Sequence, residues 1–146
     1  MASVILDTNI IIDYLSPTRA FHSDAVDVLE VLLSSPDKEP VVLAACLKDV
    51  YYILCRQYHH ESAVRDRLNG FRQVVSVAEL TNEVLDRAFG SDEPDVEDGI
   101  VRATAELMSA EAIITRDDAA YKTSRVPSMT AREYCMLMDK DSEAVT

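Results

Sequence analysis

The chain has 146 residues, of which 48% are hydrophobic and 27% charged, with 3 Gly, 5 Pro and no Trp. This composition excludes a disordered or fibrous protein and favours a helix-rich globular one. The length suits a single domain, which we expect to span residues 1–146 with a core at about 3–138 and a frayed tail at 139–146.

The formal charge is −12, from 26 acidic and 14 basic residues. This balance argues against a general nucleic-acid-coating protein, whose signature is a basic face. It does not exclude a nuclease, because bound divalent ions and nearby basic side chains can make the electrostatic potential at the active site positive. A basic segment of a partner protein is an equally natural ligand.

The cysteines, the histidines and the apolar runs exclude further classes of protein. The 3 Cys are odd in number and lack a C-x-x-C pair, and the 3 His are badly spaced for zinc. We therefore expect buried or partly buried thiols rather than disulfides or a zinc site. Apolar runs fall short of the roughly 18 residues of a membrane span, and no signal peptide precedes the first strand, so we expect a cytoplasmic protein.

Strands and helices alternate along the predicted chain. Short apolar, β-branched runs indicate strands at 3–6, 40–44, 74–77, 112–115 and 129–130. Apolar side chains at three-to-four spacing, with turn residues between the segments, indicate helices at 7–15, 20–34, 46–58, 61–72, 81–90, 95–109 and 131–138. This order predicts an α/β domain with a mostly parallel sheet.

Aspartates at the edges of apolar segments are the main clue to function. They are Asp7, Asp49, Asp98 and Asp117. Two of them follow predicted strands, and ligands of open parallel sheets bind at the carboxyl ends of the strands. Grouped carboxylates are hard oxygen ligands that suit a divalent cation.

Each aspartate also has an ordinary explanation. Asp7 can cap a helix, Asp95 with Asp98 resembles a capping box, and Asp117 lies in a turn. Asp49 lies at the margin of an apolar helix face, where an unpaired carboxylate is costly. It therefore either pairs with an arginine or forms one wall of a metal pocket.

Four segments resemble, in order, the motifs of the PIN domain family, a metal-dependent ribonuclease fold that includes VapC-type toxins. They are VILDTNIIID at 4–13, DVEDGI at 95–100, AIITRD at 112–117 and SMTAREY at 128–134. The resemblance covers residues 3–138. It implies a three-layer α/β/α sandwich with a mostly parallel central sheet of 4–5 strands.

The resemblance also implies a set of site residues. The acids that would hold Mg²⁺ or Mn²⁺ are Asp7, Asp98 and Asp117, with Asp49 in the second acidic position and Asp95 as a secondary acid. Because most family members carry Glu at the second position, the shorter Asp49 would reach metal directly or through water. The supporting residues are Thr8, Asn9 and Thr115. Nearness in sequence makes Arg116, Lys122 and Arg125 candidates for contacts with substrate phosphates.

The function that this resemblance implies is that of a metal-dependent endoribonuclease, in which metal-activated water hydrolyses RNA phosphodiester bonds. It further implies the toxin of a type II toxin–antitoxin pair, a homodimer, and an antitoxin whose basic segment enters the acidic groove. A weakly catalytic PIN-fold binding or regulatory module is the alternative, favoured by the short Asp49 and the acidic charge. A haloacid-dehalogenase-like phosphatase would need a second aspartate where this chain has Asn9.

Overall fold

A computed structural model describes residues 1–145, in which strands and helices alternate as the sequence predicts. The strands are β1 (Ala2–Leu6), β2 (Lys38–Leu43), β3 (Ser76–Ala78), β4 (Ala112–Ile114) and β5 (Ser128–Met129). The helices are α1 (Thr8–Leu15), α2 (His22–Ser34), α3 (Ala44–Tyr58), α4 (Glu61–Val74), α5 (Asn82–Phe89), α6 (Val96–Leu107) and α7 (Ala131–Val145).

The five strands that the structure describes form one parallel sheet in the order β3-β2-β1-β4-β5. The chain moves outward from β1 to β3 and then returns to the other side of β1 with β4. Residues far apart in sequence therefore become neighbours: Val4 pairs with Ala112, and Leu6 pairs with Ile114. The strand order reverses between β1 and β4, and this reversal is where doubly wound sheets bind ligands.

Helices cover both faces of the sheet. Right-handed crossovers place the helices of the outward and the return connections on opposite faces. Helix α1 contacts α2 and α3, α2 contacts α7, and α3 contacts α4, which together form one layer. Helices α5 and α6 pack on each other, and α6 contacts β4 to form the other layer. The predicted three-layer α/β/α sandwich is confirmed.

The later residues of β1 and all of β4 are apolar, because both faces of the sheet are covered there. Val4 and Ile5 of β1 and Ile113 and Ile114 of β4 are fully buried. Of the helices within residues 1–145, none is long and apolar enough to cross a membrane.

Helix α7 extends further than the sequence predicts. The prediction ends it at 138 with a frayed tail, whereas the structure is helical to Val145. The segment 139–145 contains no Gly or Pro, and Lys140 and Glu143 have high helix propensity. The prediction of a frayed tail relied on the polar composition of this segment and neglected that propensity. The last position of the predicted tail, residue 146, lies outside the described residues.

Gly99 lies where α6 packs against the end of α5. A Cβ built on Gly99 would lie 2.9 Å from the carbonyl oxygen of Ala88 and 3.0 Å from Oγ of Ser91. From the sequence this glycine only weakens its helix. In the structure the packing of backbone on backbone requires it, and that packing fixes the position of the neighbouring Asp98.

We predict that Gly99→Ala lowers the free energy of unfolding by about 1–3 kcal/mol through overpacking, although alanine gains about 1 kcal/mol in helix propensity. Gly70→Ala is the matched control, because a Cβ at Gly70 in α4 would meet nothing within 4 Å. It should raise the free energy of unfolding by about 0.5–1 kcal/mol. Urea denaturation measures both variants, and equal stabilisation of the two would contradict the packing role of Gly99.

Candidate functional site

A cleft of about 570 Å³ opens at the carboxyl ends of β1 and β4, between α1, α3 and α6. Asp7, Asp49, Asp98 and Asp117 all line it. They come from the exit of β1, from α3, from the first turn of α6 and from the turn after β4. The fold therefore brings the four predicted aspartates to one cleft, at the reversal of strand order.

Asp7 is the buried member of this group, with 6% of its surface exposed. Its Oδ1 accepts a hydrogen bond from the backbone N–H of Thr8 at 2.8 Å, so the predicted helix-capping role is present. Its Oδ2 accepts from the hydroxyls of Thr115 at 2.9 Å and Tyr121 at 2.8 Å. Burial raises the pKa of Asp7 above its usual value, these hydrogen bonds oppose the rise, and repulsion from Asp117 adds to it.

Thr115 joins the two strand exits through its hydroxyl. This hydroxyl donates to Asp7 and accepts from Nδ2 of Asn9 at 3.3 Å and from the backbone N–H of Asp117 at 3.1 Å. The Oδ1 of Asn9 in turn accepts from the backbone N–H of Arg116 at 3.1 Å. Thr115 orients Asp7 directly, and Asn9 acts through Thr115 and the turn that carries Asp117.

Asp98 and Asp117 face the same region with more exposure to solvent. Asp98 is half-buried, and its Oδ1 lies 3.4 Å from the hydroxyl of Tyr121. Desolvation raises the pKa of Asp98 to about 7, and repulsion from Asp95, Asp7 and Asp117 acts in the same direction. Asp117 is exposed, and its Oδ1 accepts from the backbone N–H of Ala119 at 3.0 Å, as expected of a turn aspartate.

The remaining two acids differ in what they contact. Asp95 caps α6, because its Oδ1 accepts from the backbone N–H of Asp98 at 2.8 Å, and it does not line the cleft. Its carboxylate acts on the cleft through repulsion of Asp98. Asp49 is half-buried and has no ion pair in the part of the chain that the structure describes, so it forms a wall of the cleft rather than an arginine pair.

None of the basic residues expected near the substrate lines the cleft. Arg116 donates to the buried Asp13 from Nε at 2.6 Å and from a terminal nitrogen at 3.1 Å, and its guanidinium lies 4.8 Å from the ring centre of Phe21. Arg125 pairs with Glu106 of α6 at 3.4 Å. The third candidate, Lys122, is exposed on the loop after β4.

Arg19 is the basic residue that does line the cleft, alone among the described lining residues. Its Nε donates to Oδ1 of Asp13 at 2.8 Å, and 34% of its side chain is exposed. Sequence reasoning missed Arg19 because it lies in a turn between α1 and α2, with no motif or periodicity to mark it. It also missed Tyr121, which lies in the irregular segment after β4.

The donor set suits a hard divalent cation, although it does not form a closed cage. Within residues 1–145, no group of three His, Cys, Asp or Glu side chains is arranged to hold a metal ion. Mg²⁺ commonly binds through one or two carboxylates and keeps several waters. Asp7 and Asp98, which are buried or half-buried and repel each other, fit that mode of binding.

A larger groove of about 820 Å³ lies between α2 and α7. It is lined in part by the acids Asp24, Asp27, Glu30 and Asp139. This groove lies between two helices of one layer, and all of its lining residues are on those helices. The cleft at the reversal of strand order is therefore the better candidate for chemistry.

Comparison with known proteins finds a matching family model and several solved structures of similar fold. A family model described as PIN domain matches residues 3–119. VapC20 of Mycobacterium tuberculosis, described as a Sarcin-Ricin loop cleaving toxin, is 20% identical with a TM-score of 0.66, over 79% of this chain and 90% of that one. A toxin–antitoxin complex from Klebsiella pneumoniae is 22% identical with a TM-score of 0.63, over 88% and 97%. VapBC-1 of nontypeable Haemophilus influenzae is 15% identical with a TM-score of 0.66, over 89% and 98%. The chain matches no curated protein.

The pKa of Asp98 makes the stability of the cation-free protein depend on pH. Because this pKa is raised from 3.8 to about 7, the folded state holds more protons than the unfolded chain between these values. Stability therefore falls as the pH rises from about 4 to about 7. Asp98→Asn removes this loss and should raise the free energy of unfolding at about pH 8 by about 1 kcal/mol, allowing for solvent screening, with no gain at about pH 4.

Thermal unfolding in the presence of a chelator measures this difference. Asp92→Asn is the control, because hydrogen bonds from Thr123 and Arg102 lower the pKa of Asp92. That variant should lose stability at about pH 8 instead of gaining it. An effect of Asp98→Asn that is the same at both pH values would contradict the electrostatic account of the cleft.

Proposed function

We propose that this chain, which belongs to the PIN domain family, is a Mg²⁺- or Mn²⁺-dependent endoribonuclease and the toxin of a type II toxin–antitoxin pair. PIN domains are nucleases, and the solved structures that this fold resembles include VapC-type toxins. The observation that carries the proposal is the convergence of Asp7, Asp98 and Asp117 on one cleft at the ends of β1 and β4.

The side chains of the cleft have distinct roles in this proposal. A divalent cation held in the cleft would lower the pKa of water and stabilise the charge that develops on the scissile phosphate. Asp7 and Asp98 would hold the cation, Asp117 and Asp49 would hold it directly or through water, and Thr115 orients Asp7. Repulsion among these acids is strongest in the empty cleft, and positive charge relieves it.

Water, rather than a side chain, is the nucleophile in this proposal. The thiol that lines the cleft is Cys46, which is 4% exposed. Burial raises the pKa of Cys46 to about 12, so its thiol stays protonated at neutral pH. A protonated, buried thiol is a poor nucleophile. Cys46 is therefore not the nucleophile, which supports the assignment of that role to water.

Two side chains at the edge of the cleft, one positively charged and one aromatic, are the proposed contacts with RNA. Arg19 is held by Asp13 through Nε, which leaves the terminal nitrogens of its guanidinium to contact a substrate phosphate. Tyr52 of α3 lines the same cleft and is 58% exposed, so its ring can stack on a base. These two residues replace Arg116, Lys122 and Arg125 as the proposed substrate contacts.

The acidic cleft also suits a protein inhibitor. An antitoxin segment that carries basic side chains would be attracted to the carboxylates of the cleft and would block the cation and the RNA together. A solved toxin–antitoxin complex is among the structures that this chain resembles. We propose that the protein acts in the cytoplasm as a homodimer and is held inactive by such a partner.

We predict that the purified protein cleaves RNA when Mg²⁺ or Mn²⁺ is added, and that Asp7→Asn lowers the rate by about 100-fold or more through loss of a cation ligand. Arg19→Ala should raise KM more than it lowers kcat, because it removes a contact made equally in the ground and transition states. Steady-state cleavage of a labelled RNA measures both effects.

Asp139→Asn is the matched control for this experiment, because it makes the same chemical change in α7, away from the cleft. It should retain the activity of the wild type. Equal cleavage by the wild type and Asp7→Asn would identify a contaminating nuclease and contradict the proposal. A folded wild type that binds RNA but does not cleave it would favour the binding or regulatory alternative.

A further inference from the structure

We infer that Tyr121 is a positioning residue, whose hydroxyl fixes the Asp7 carboxylate in the orientation that accepts a cation. The inference rests on the proposed function, because it assigns Asp7 to a cation site. Tyr121 lies in the irregular segment between β4 and β5, and its side chain is 2% exposed. Its hydroxyl donates to Oδ2 of Asp7 at 2.8 Å and lies 3.4 Å from Oδ1 of Asp98.

The hydrogen bonds divide the two oxygens of Asp7 into different roles. Oδ2 accepts from both Tyr121 and Thr115, and two hydrogen bonds use the two lone pairs of a carboxylate oxygen. Among the described residues, Oδ1 accepts only from the backbone N–H of Thr8. Oδ1 therefore keeps a free lone pair for a cation in the cleft, and Tyr121 with Thr115 prevents the carboxylate from rotating.

The backbone at Tyr121 is strained, and neighbouring contacts hold it in place. Its φ is 64°, in the left-handed region that a bulky residue rarely adopts. Its backbone N–H donates to Oε2 of Glu93 at 3.3 Å, and Glu93 is paired with Arg102 of α6 at 3.3 Å. Arg102 also donates to the backbone carbonyl of Thr123 at 3.1 Å. Strain that is held by surrounding contacts is typical of functional sites.

The ordinary alternative is a core tyrosine whose hydroxyl has found the nearest acceptor. Tyr134 of α7 is such a residue: its side chain is also 2% exposed, and its hydroxyl donates to Oε1 of Glu111 at 2.9 Å. Its φ is not positive, and the acceptor of its hydroxyl, Glu111, does not line the cleft. Tyr121 differs because its hydroxyl reaches two acids of one cleft, so Tyr134 provides a matched control.

The test is calorimetric titration of Mn²⁺ into the wild type, Tyr121→Phe and Tyr134→Phe, in the absence of RNA. Loss of a group that orients a metal ligand commonly weakens metal binding by about 10–100-fold, and we expect that loss for Tyr121→Phe. Tyr134→Phe should bind as the wild type does. Thr115→Val removes the other donor to Oδ2 and should weaken binding in the same way. Thermal unfolding of each cation-free variant establishes that it is folded.

Equal Mn²⁺ affinity of the wild type, Tyr121→Phe and Tyr134→Phe would overturn the role of Tyr121 and leave the proposed nuclease function standing. Tighter binding by Tyr121→Phe would also overturn it, because the hydroxyl would then compete with the cation. A folded wild type that takes up no Mn²⁺ would overturn the proposed function, and the role of Tyr121 with it.

Discussion

The burial of one carboxylate, Asp7, is the constraint on which the rest of the site depends. In the described chain no basic side chain pairs with it, and its partners are a backbone N–H and two neutral hydroxyls. Desolvation and the repulsion from Asp117 both oppose its ionisation. The divalent cation that we propose would supply the missing positive charge, which would make the arrangement favourable with a cation bound and costly without one.

The topology of the sheet produces this arrangement. Because β1 and β4 pair in parallel at the reversal of strand order, the segments that leave them emerge side by side. Asp98 approaches from the opposite helix layer, and the close contact of Gly99 with Ala88 sets the position of α6. The Arg102 contacts with Glu93 and Thr123 then fix the loop that carries Tyr121. Packing next to the acids therefore determines how the acids meet.

Much of the fold and the acids of the cleft could be predicted from the sequence. Apolar runs that end in aspartate mark the exits of β1 and β4, and the resemblance to a family motif marked Asp98 on its helix. The basic and aromatic contacts could not be predicted. Arg116 turns away to the buried Asp13, whereas Arg19 reaches the cleft from a turn between two helices. The direction of Tyr121 depends on a positive φ and on Glu93, a contact between distant segments that no local pattern encodes.

The most direct test of the central claim is the position of Mn²⁺ in crystals of the protein, located by anomalous diffraction. We predict a peak in the cleft at about 2.1 Å from carboxylate oxygens of Asp7 and Asp98, the ligand distance of a small octahedral cation. The groove between α2 and α7 is an internal comparison, because it also carries several acids. A peak in that groove, with none beside Asp7, would contradict the account.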